Sequence, residues 1–285
     1  VAARLADDQL DSEIRALGAI NYPGIVSIID SGTITDGPLA GHDYLVMEYV
    51  GAGSLESRMN EILPKGDLFS PADAAGILKE VGQSIAVLEK NKIVHRDIKP
   101  GNILFDSNGR IKLADFGLAR IDGVTPGLTA QGVAIGTPTY MSPEQARGER
   151  CDVRSDLWSL GALAFHLVTG APPSGIVDSD PQEEFVEILQ AHADREAPIP
   201  TVGDCVPDFP PALGAVIDRL LEKDPAKRYA TAEEFLDALQ LATAAMESPV
   251  PPEESISDLL AAALPAAATN ARPRGGGGRC SGRIR

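Results

Sequence analysis

The segment His95-Arg96-Asp97-Ile98-Lys99-Pro100-Gly101-Asn102 is the most informative stretch of the sequence, because it places an acid, a lysine and an amide within six positions. A short apolar run follows, and the turn Asp106-Ser107-Asn108-Gly109 leads into a second run, Ile111 to Leu113. Asp115 comes two residues later, at the head of Asp115-Phe116-Gly117. Two strands joined by such a turn form a hairpin, which returns the chain to its starting end. We therefore expect the polar residues of the first segment to meet Asp115 at one end of the hairpin.

The polar side chains of this unit suit phosphoryl transfer; they are Asp97, Lys99, Asn102 and Asp115. Carboxylate and amide oxygens are the ligands that Mg²⁺ prefers. A carboxylate also orients an attacking hydroxyl, and a lysine neutralises the charge that develops on a phosphoryl group. An isolated His-Arg-Asp or Asp-Phe-Gly triplet is weak evidence for phosphoryl transfer, whereas the whole set in this order and spacing is strong evidence.

The part of the chain before this unit is small and contains strands. Residues 7–20 are predicted to form a helix, since their apolar residues lie on one stripe. Two apolar runs, Ile25 to Ile29 and Tyr44 to Val50, are predicted as strands. Gly51-Ala52-Gly53 then interrupts the pattern, as a connection between two lobes would.

After this interruption the pattern is helical. Pro71 stands at the start of one helix. Further helical patterns follow at residues 154–169, 182–193, 211–222 and 231–246. The sequence thus predicts an α+β architecture with a cleft near residues 48–54. Its predicted parts are a small lobe at 1–50, a large lobe at 51–246 and a flexible Pro-, Ala-, Gly- and Arg-rich tail at 247–285.

Several segments match protein-kinase motifs in that family's order: His95–Asn102 (H-R-D-x-K-x-x-N), Asp115–Gly117 (D-F-G), Gly136–Glu144 (G-T-x-x-Y-M-x-P-E), Asp152–Gly161 (ending in D-x-W-S-x-G) and Lys223–Arg228 (K-D-P-x-x-R). One residue departs from the family: Ser142 stands where the family's A-P-E motif has alanine. The chain therefore resembles the eukaryotic-like protein kinases, specifically the bacterial serine/threonine type, from about residue 7 to 246. This resemblance implies a bilobal protein-kinase-like fold, here with a truncated small lobe that holds the C-helix and the strands after it.

The resemblance implies ATP and Mg²⁺ as cofactors and assigns a role to each polar residue of the hairpin unit. Asp97 would accept or orient the substrate hydroxyl, and Lys99 would neutralise the transferring phosphoryl group. Asn102 and Asp115 would hold Mg²⁺. The implied activity is transfer of the γ-phosphoryl group of ATP to serine and threonine hydroxyls of protein substrates.

The resemblance also implies a nucleotide site, at Glu13, Met47, Glu48, Val50, Ser54 and Leu104. Met47 would be the gatekeeper, and the backbone of Glu48 and Val50 would hydrogen-bond adenine, with Ser54 near the ribose. Glu13 matches the C-helix glutamate. A stack of side chains would join the lobes, formed by Leu17, Ile28, His95 and Phe116.

Activation is expected to depend on phosphorylation of residues 118–135. Arg96 precedes Asp97, so a cation is available to pair with a phosphate on that segment. Thr125 and Thr129 are the candidate phosphosites, since both lie in a stretch rich in Gly and Pro.

Three more residues of the activation segment and large lobe take roles from the resemblance. The Thr137 hydroxyl would contact Asp97 and Lys99 and shape the substrate site. Glu144 and Arg228 would form a buried ion pair that anchors the activation segment.

Two family features are missing before Glu13. No G-x-G-x-x-G precedes it, and Arg4 lies only nine residues away, too near to be the strand lysine that should pair with it. We therefore expect the chain to lack roughly the first 40 residues of its domain and to bind ATP poorly. A pseudokinase-like binding or scaffold module without phosphoryl transfer is the alternative. A small-molecule phosphotransferase is disfavoured by the peptide-binding segment Gly136–Glu144.

Composition limits the partners. The chain has 25 basic and 41 acidic residues, a net charge of −16, so nucleic-acid binding by the folded part is not expected. Three scattered cysteines indicate a reducing compartment. No apolar run reaches the ~18 residues that cross a bilayer. We expect a cytoplasmic domain, which in a longer parent could be anchored through a segment outside this chain. Self-association for trans-phosphorylation is left open.

Overall fold

The computed structural model describes residues 16–115, 138–176 and 181–247. All of the described residues belong to one compact unit. Several sequence predictions fall outside the described residues, namely those on Glu13, Phe116, Thr125, Thr129, Thr137 and the tail beyond Glu247. No helix within the described ranges combines the length and apolar character that crossing a bilayer needs.

The first sheet pairs two antiparallel strands, β1 (Ile28–Thr33) and β2 (Asp43–Met47). The sequence predicted these strands at 25–29 and 44–50. The first strand begins three residues later and ends four residues later than predicted, and the second begins one residue earlier and ends three residues earlier. Residues 30–32, expected in a turn because they are Asp-Ser-Gly, instead pair with β2. Cross-strand hydrogen bonds therefore outweigh the low strand propensity of these residues.

Ile25, expected in the first strand, lies beside a different partner. It forms a parallel bridge with Leu113 of a second sheet. The Val26 amide donates to the Leu113 carbonyl at 2.9 Å, and the Leu113 amide donates to the Gly24 carbonyl at 2.8 Å. Residues 24–26 thus attach the first sheet to the hairpin described next.

The predicted hairpin is confirmed, with strands β3 (Ile103–Phe105) and β4 (Ile111–Leu113) paired antiparallel. The Asp106 carboxylate shapes its turn by accepting from the amides of Asn108 at 2.8 Å and Arg110 at 3.0 Å. Gly109 has a φ of 78°, which explains why glycine ends the turn.

The helices are α1 (Leu55–Ile62), α2 (Pro71–Lys90), α3 (Pro143–Ala146), α4 (Val153–Thr169), α5 (Pro181–Ala193), α6 (Val202–Cys205), α7 (Pro211–Leu220) and α8 (Ala232–Glu247). Short 3₁₀ turns lie at Leu63–Lys65, Pro100–Asn102, Pro138–Tyr140 and Pro225–Lys227. The helices predicted at 154–169, 182–193, 211–222 and 231–246 are confirmed within two residues at each end, and the helix predicted to start at Pro71 begins there. Helix α1 was missed, although the Ser54 N-cap and the buried pair Leu55 and Met59 signal it.

Helix α4 runs through the centre of the core, and its Trp158 and Phe165 side chains are buried. A Cβ at Gly161 would lie 2.6 Å from Leu220 Cβ, so glycine lets α4 and α7 approach closely. Gly82 does the same between α2 and α8, where a Cβ would lie 2.7 Å from the Phe235 ring. These helices pack closely, and α2 also contacts β4 of the hairpin, where the Ile111 amide donates to the Glu80 carboxylate at 2.9 Å.

Candidate active site

The hairpin brings together the four polar residues that the sequence predicted to meet. The Lys99 Nζ lies 2.7 Å from Asp97 Oδ2. The Asn102 Nδ2 donates to the Asp97 carbonyl at 2.8 Å and to Asp97 Oδ2 at 3.0 Å. It also lies 3.3 Å from the Asp115 carbonyl. A carboxylate, an ammonium group and an amide are thus held in one hydrogen-bonded cluster beside Asp115.

The buried carboxylate of Asp156 on α4 holds residues His95–Asn102, which match the kinase catalytic-loop motif and are called the catalytic loop from here on. It accepts hydrogen bonds from the His95 and Arg96 amides, each at 2.8 Å. Arg96 has a φ of 65°, an uncommon conformation that these bonds help to stabilise. Burial raises the pKa of Asp156 to about 7, while the two amide donors favour its charged form.

The His95 ring connects the loop to the end of β4. Its Nδ1 accepts from the Asp97 amide at 3.3 Å, so Nε2 carries the proton and donates to the Ala114 carbonyl at 3.1 Å. The Ala114 amide in turn donates to the Asn102 carbonyl at 2.8 Å. These bonds fix the distance between the catalytic loop and Asp115.

The oxygen atoms of Asn102 and Asp115 fit a magnesium ion. Because Nδ2 of Asn102 donates to Asp97, the planar amide directs its Oδ1 away from Asp97. Asp115 is exposed and has a φ of 51°. The described ranges contain no group of three or more His, Cys, Asp or Glu side chains placed to bind a metal. A pair of protein oxygen ligands is typical of Mg²⁺ bound together with substrate phosphates.

The predicted adenine-binding segment begins where β2 ends. Met47, Glu48 and Val50 are half-buried, and Tyr49 between them is 93% exposed. The structure brings Ser54 against Leu104, in an antiparallel bridge. Both positions therefore lie at the boundary between this segment and the hairpin.

The glycine-rich interruption at 51–53 is tied to the hairpin. The Ala52 amide donates to the Phe105 carbonyl at 3.2 Å, and the Phe105 amide donates to the Gly53 carbonyl at 2.9 Å. Ser54, expected near a ribose, has its side chain hydrogen-bonded to the Ser57 amide at 3.2 Å, where it caps α1.

Sequence reasoning missed two contacts of Glu48. Its Oε1 lies 2.7 Å from Lys112 Nζ and accepts from the Ser27 amide at 2.9 Å. The motifs predict a role for the Glu48 backbone only. No local pattern could indicate these contacts, because the partners lie 64 and 21 residues away.

The predicted ion pair between Glu144 and Arg228 is present and buried. Arg228 Nη1 and Nη2 lie 2.8 and 2.9 Å from the two carboxylate oxygens. The Ser155 hydroxyl donates to Glu144 at 2.7 Å, and Arg228 Nε donates to the Glu222 carbonyl at 2.7 Å. Burial alone would raise the pKa of Glu144, but the Arg228 hydrogen bonds and charge outweigh it and lower that pKa.

Ser142, the departure from the family's alanine, caps α3. Its hydroxyl accepts from the Gln145 amide, and Gln145 Oε1 accepts from the Ser142 amide at 3.0 Å, which forms a capping box. Gln145 Nε2 donates to the Arg96 carbonyl at 2.8 Å. Helix α3 is thereby joined to the catalytic loop.

Next to this cap, the Tyr140 hydroxyl lies 2.9 Å from His166 Nδ1 on α4. Burial raises the pKa of Tyr140 and lowers the pKa of His166 to about 4, so both groups are neutral at pH 7. Of the predicted interlobe stack, Leu17 and His95 are buried and Ile28 is half-buried against the core.

Comparisons with known proteins agree with this architecture. The protein kinase domain model matches residues 2–239. The serine/threonine-protein kinase PknB of Mycolicibacterium smegmatis is 37% identical over 226 residues, which are 78% of this chain and 34% of that protein. PknA of Mycobacterium tuberculosis is 32% identical over 244 residues, covering 86% of this chain and 53% of that protein. The chain thus spans about a third of the PknB relative.

A solved structure shows the same fold. The crystal structure of the Mycobacterium tuberculosis PknI kinase domain superposes with a TM-score of 0.61 at 24% identity, covering 83% of this chain and 79% of that one. The chain has the bilobal protein-kinase-like fold that the sequence predicted, with two two-stranded sheets and many helices among the described residues. The family model covers most of the chain, and the similar curated proteins are bacterial serine/threonine kinases. The chain belongs to the protein kinase family, in its bacterial serine/threonine branch.

Proposed function

We propose that this chain transfers the γ-phosphoryl group of ATP to serine and threonine hydroxyls of proteins. The observation that carries the proposal is the cluster in which Lys99 Nζ and Asn102 Nδ2 both contact Asp97 Oδ2, at 2.7 and 3.0 Å. A binding module has no need for an acid, a cation and an amide fixed together beside a second acid. The names of PknB and PknA support the same activity for this chain.

In this mechanism Asp97 receives a hydrogen bond from the substrate hydroxyl and aims the oxygen at the γ-phosphorus. The oxygen forms a bond to phosphorus as the bond to the β–γ bridging oxygen breaks, and ADP leaves with that electron pair. The hydroxyl proton passes to Asp97 and then to solvent. The Lys99 ammonium lies 2.7 Å from the Asp97 carboxylate, which holds the attacking oxygen. From this position Lys99 stabilises the negative charge on the transferring group.

Asn102 Oδ1 and the Asp115 carboxylate would hold Mg²⁺, which when bound neutralises charge on the phosphates. The Asp97 hydrogen bond orients Asn102 for this task in advance. The backbone of Glu48 and Val50 would bind adenine, with Leu104 beneath it and Ser54 near the ribose. Glu13 remains a proposed member of the same site.

Regulation of the proposed enzyme follows from charge. A phosphate on Thr125 or Thr129 would pair with Arg96, whose backbone is fixed at 2.8 Å by both Asp156 and Gln145. Such pairing would hold the phosphorylated threonine next to the catalytic loop, and a second copy of the chain would transfer the phosphate from ATP in trans. Mass mapping of phosphopeptides from active protein tests this: modification of neither threonine would refute it.

The activity itself is tested by transfer of labelled phosphate from Mg-ATP to a mixture of serine and threonine peptides. Asp97→Asn should abolish transfer, while Asp67→Asn, at an exposed acid outside the site, should leave it intact. Wild-type protein that is folded and binds nucleotide but transfers no phosphate would show a pseudokinase-like binding module. Equal transfer by the Asp97→Asn variant would place the activity elsewhere.

A further inference from the structure

Lys112 and Glu48 form an ion pair in a partly buried position between the adenine-binding segment and the hairpin. Lys112 Nζ lies 2.7 Å from Glu48 Oε1, and the two side chains are only 13% and 29% exposed. The pair joins positions 64 residues apart in sequence. None of the roles described above uses it.

The Glu48 carboxylate links three segments of chain. Besides Lys112, it accepts from the Ser27 amide at 2.9 Å, and the Glu48 amide donates back to the Ser27 carbonyl at 3.0 Å. The neighbouring Val26 amide donates to Leu113 on β4. Residue 48, residues 24–27 and β4 therefore form one hydrogen-bonded junction.

Lys112 stands at a useful place on β4. It pairs in register with Leu104, the residue expected beneath adenine, and it precedes Asp115 by three residues. A movement of its side chain would therefore shift the Glu48 side chain, at the point where the adenine-binding backbone meets β4.

The junction depends on the charge of Lys112. Burial by itself raises the pKa of Glu48, but the hydrogen bond and charge of Lys112, with the Ser27 amide, lower it. Without the ammonium group, the partly buried carboxylate would lack its counter-charge and would turn toward water. The contact with Ser27 would then be lost, and the backbone at residues 48–52 would gain freedom.

We propose that Lys112 is a positioning residue for the nucleotide: by holding the Glu48 side chain, it fixes the backbone that binds adenine. The proposal rests on the proposed kinase function. It predicts an effect on nucleotide affinity and little effect on the chemical step, because Lys112 does not contact the reacting atoms.

The test compares Lys112→Met, which keeps the length but removes the charge, with Lys112→Arg, which keeps the charge. Lys90→Met is the matched control, because Lys90 also pairs with a glutamate, Glu233, but at an exposed position. Lys112→Met should raise the KM for ATP about tenfold and leave kcat within about twofold, whereas Lys112→Arg and Lys90→Met should stay near wild type. An unchanged KM, or a loss confined to kcat, would overturn the proposal.

Hydrogen exchange in the absence of nucleotide gives a readout that does not require catalysis. Lys112→Met should speed exchange at the amides of residues 24–27 and 48–52 and leave α4 unchanged. Unchanged exchange at these amides, or faster exchange throughout α4, would overturn the proposal. If the wild type transfers no phosphate, the proposed function fails, and the Kd for Mg-ADP replaces KM in the comparison. An equal Kd for wild type and Lys112→Met, or no binding to either, would then overturn the positioning role.

Discussion

The two sheets of this domain have the same number of strands but differ in burial. In the hairpin β3–β4, Ile103 and Leu113 are fully buried. In β1–β2, Ile29 is 66% exposed and Val46 is 42% exposed. An isolated pair of strands is marginally stable in water. The hairpin gains its stability from the helical core, whereas β1–β2 is held to β4 through residues 24–27 and the Glu48–Lys112 ion pair. The proposed catalytic residues flank the strands of the well-supported sheet, and the proposed adenine-binding segment follows the less supported one.

We expect the largest loss of stability from a substitution among the helices of the large lobe, called the helical lobe below. Glu144→Ala leaves the Arg228 guanidinium buried without its counter-charge, which typically costs about 3–5 kcal/mol. Thermal unfolding should show a clear fall in Tm for this variant. Glu233→Ala, which removes an exposed partner of Lys90, should leave Tm unchanged. An unchanged Tm for Glu144→Ala would mean that the pair does not anchor this lobe.

A core substitution in the hairpin should rank next. Leu113→Ala removes a fully buried side chain that packs in the core beneath the catalytic residues, at a cost of about 2–5 kcal/mol. Chemical denaturation should show a lower midpoint with an unchanged slope. A loss below about 1 kcal/mol would show that the hairpin is no better supported than β1–β2.

Acidification should destabilise the helical lobe in a measurable pH window. Burial lowers the pKa of His192 to about 4, below its unfolded value near 6.5, so the unfolded state binds more protons between these values. Stability from neutral His192 is therefore complete above about pH 6.5 and is lost as the pH falls toward 4. Asp156 acts oppositely, because its raised pKa favours the folded state on acidification from pH 7.

Burial also lowers the pKa of His166 to about 4, so His166 acts in the same direction as His192, and a substitution is needed to isolate the contribution of His192. His192→Gln should reduce the fall in stability between pH 6.5 and 4.5 by about 2 kcal/mol, and His42→Gln, at an exposed histidine, should not. Unfolding free energies measured by denaturant at both pH values provide the comparison. An identical pH dependence for His192→Gln and wild type would contradict the burial of a neutral ring.

The smallest effect is expected on the exposed sheet. Val46→Ala is the counterpart of Leu113→Ala, since it also shortens an aliphatic strand residue, but at a position 42% exposed. Its effect on unfolding free energy should stay within about 0.5 kcal/mol, because surface substitutions rarely exceed this. A loss comparable to that of Leu113→Ala would show that this face of β1–β2 is covered.

Local patterns predicted the parts of the structure that depend on nearby residues. The hairpin is closed by a four-residue turn, so its spacing alone placed Asn102 beside Asp115. The long helices carry apolar stripes and capping residues that are visible in the sequence. The kinase motifs were sufficient to pair Glu144 with Arg228, although 84 residues separate them.

Long-range pairing explains what the sequence did not predict. Residues 30–32 have turn composition and become strand only because β2 lies beside them. The contacts of Glu48 with Ser27 and Lys112 likewise arise from three segments that meet only in the folded chain. Propensity and motif spacing describe neither case, because both depend on tertiary contacts.

The two hydrogen bonds of the Gln145 side chain restrict which residues can replace it during evolution. One end of its carboxamide accepts from the Ser142 amide, and the other donates to the Arg96 carbonyl. Glutamate keeps the acceptor but loses the donor, and lysine keeps a donor but loses the acceptor. Asparagine has both groups on a shorter arm. No other encoded side chain of this length has both a donor and an acceptor so placed. A substitution at this position therefore loses either the cap of α3 or the hydrogen bond that supports the catalytic loop.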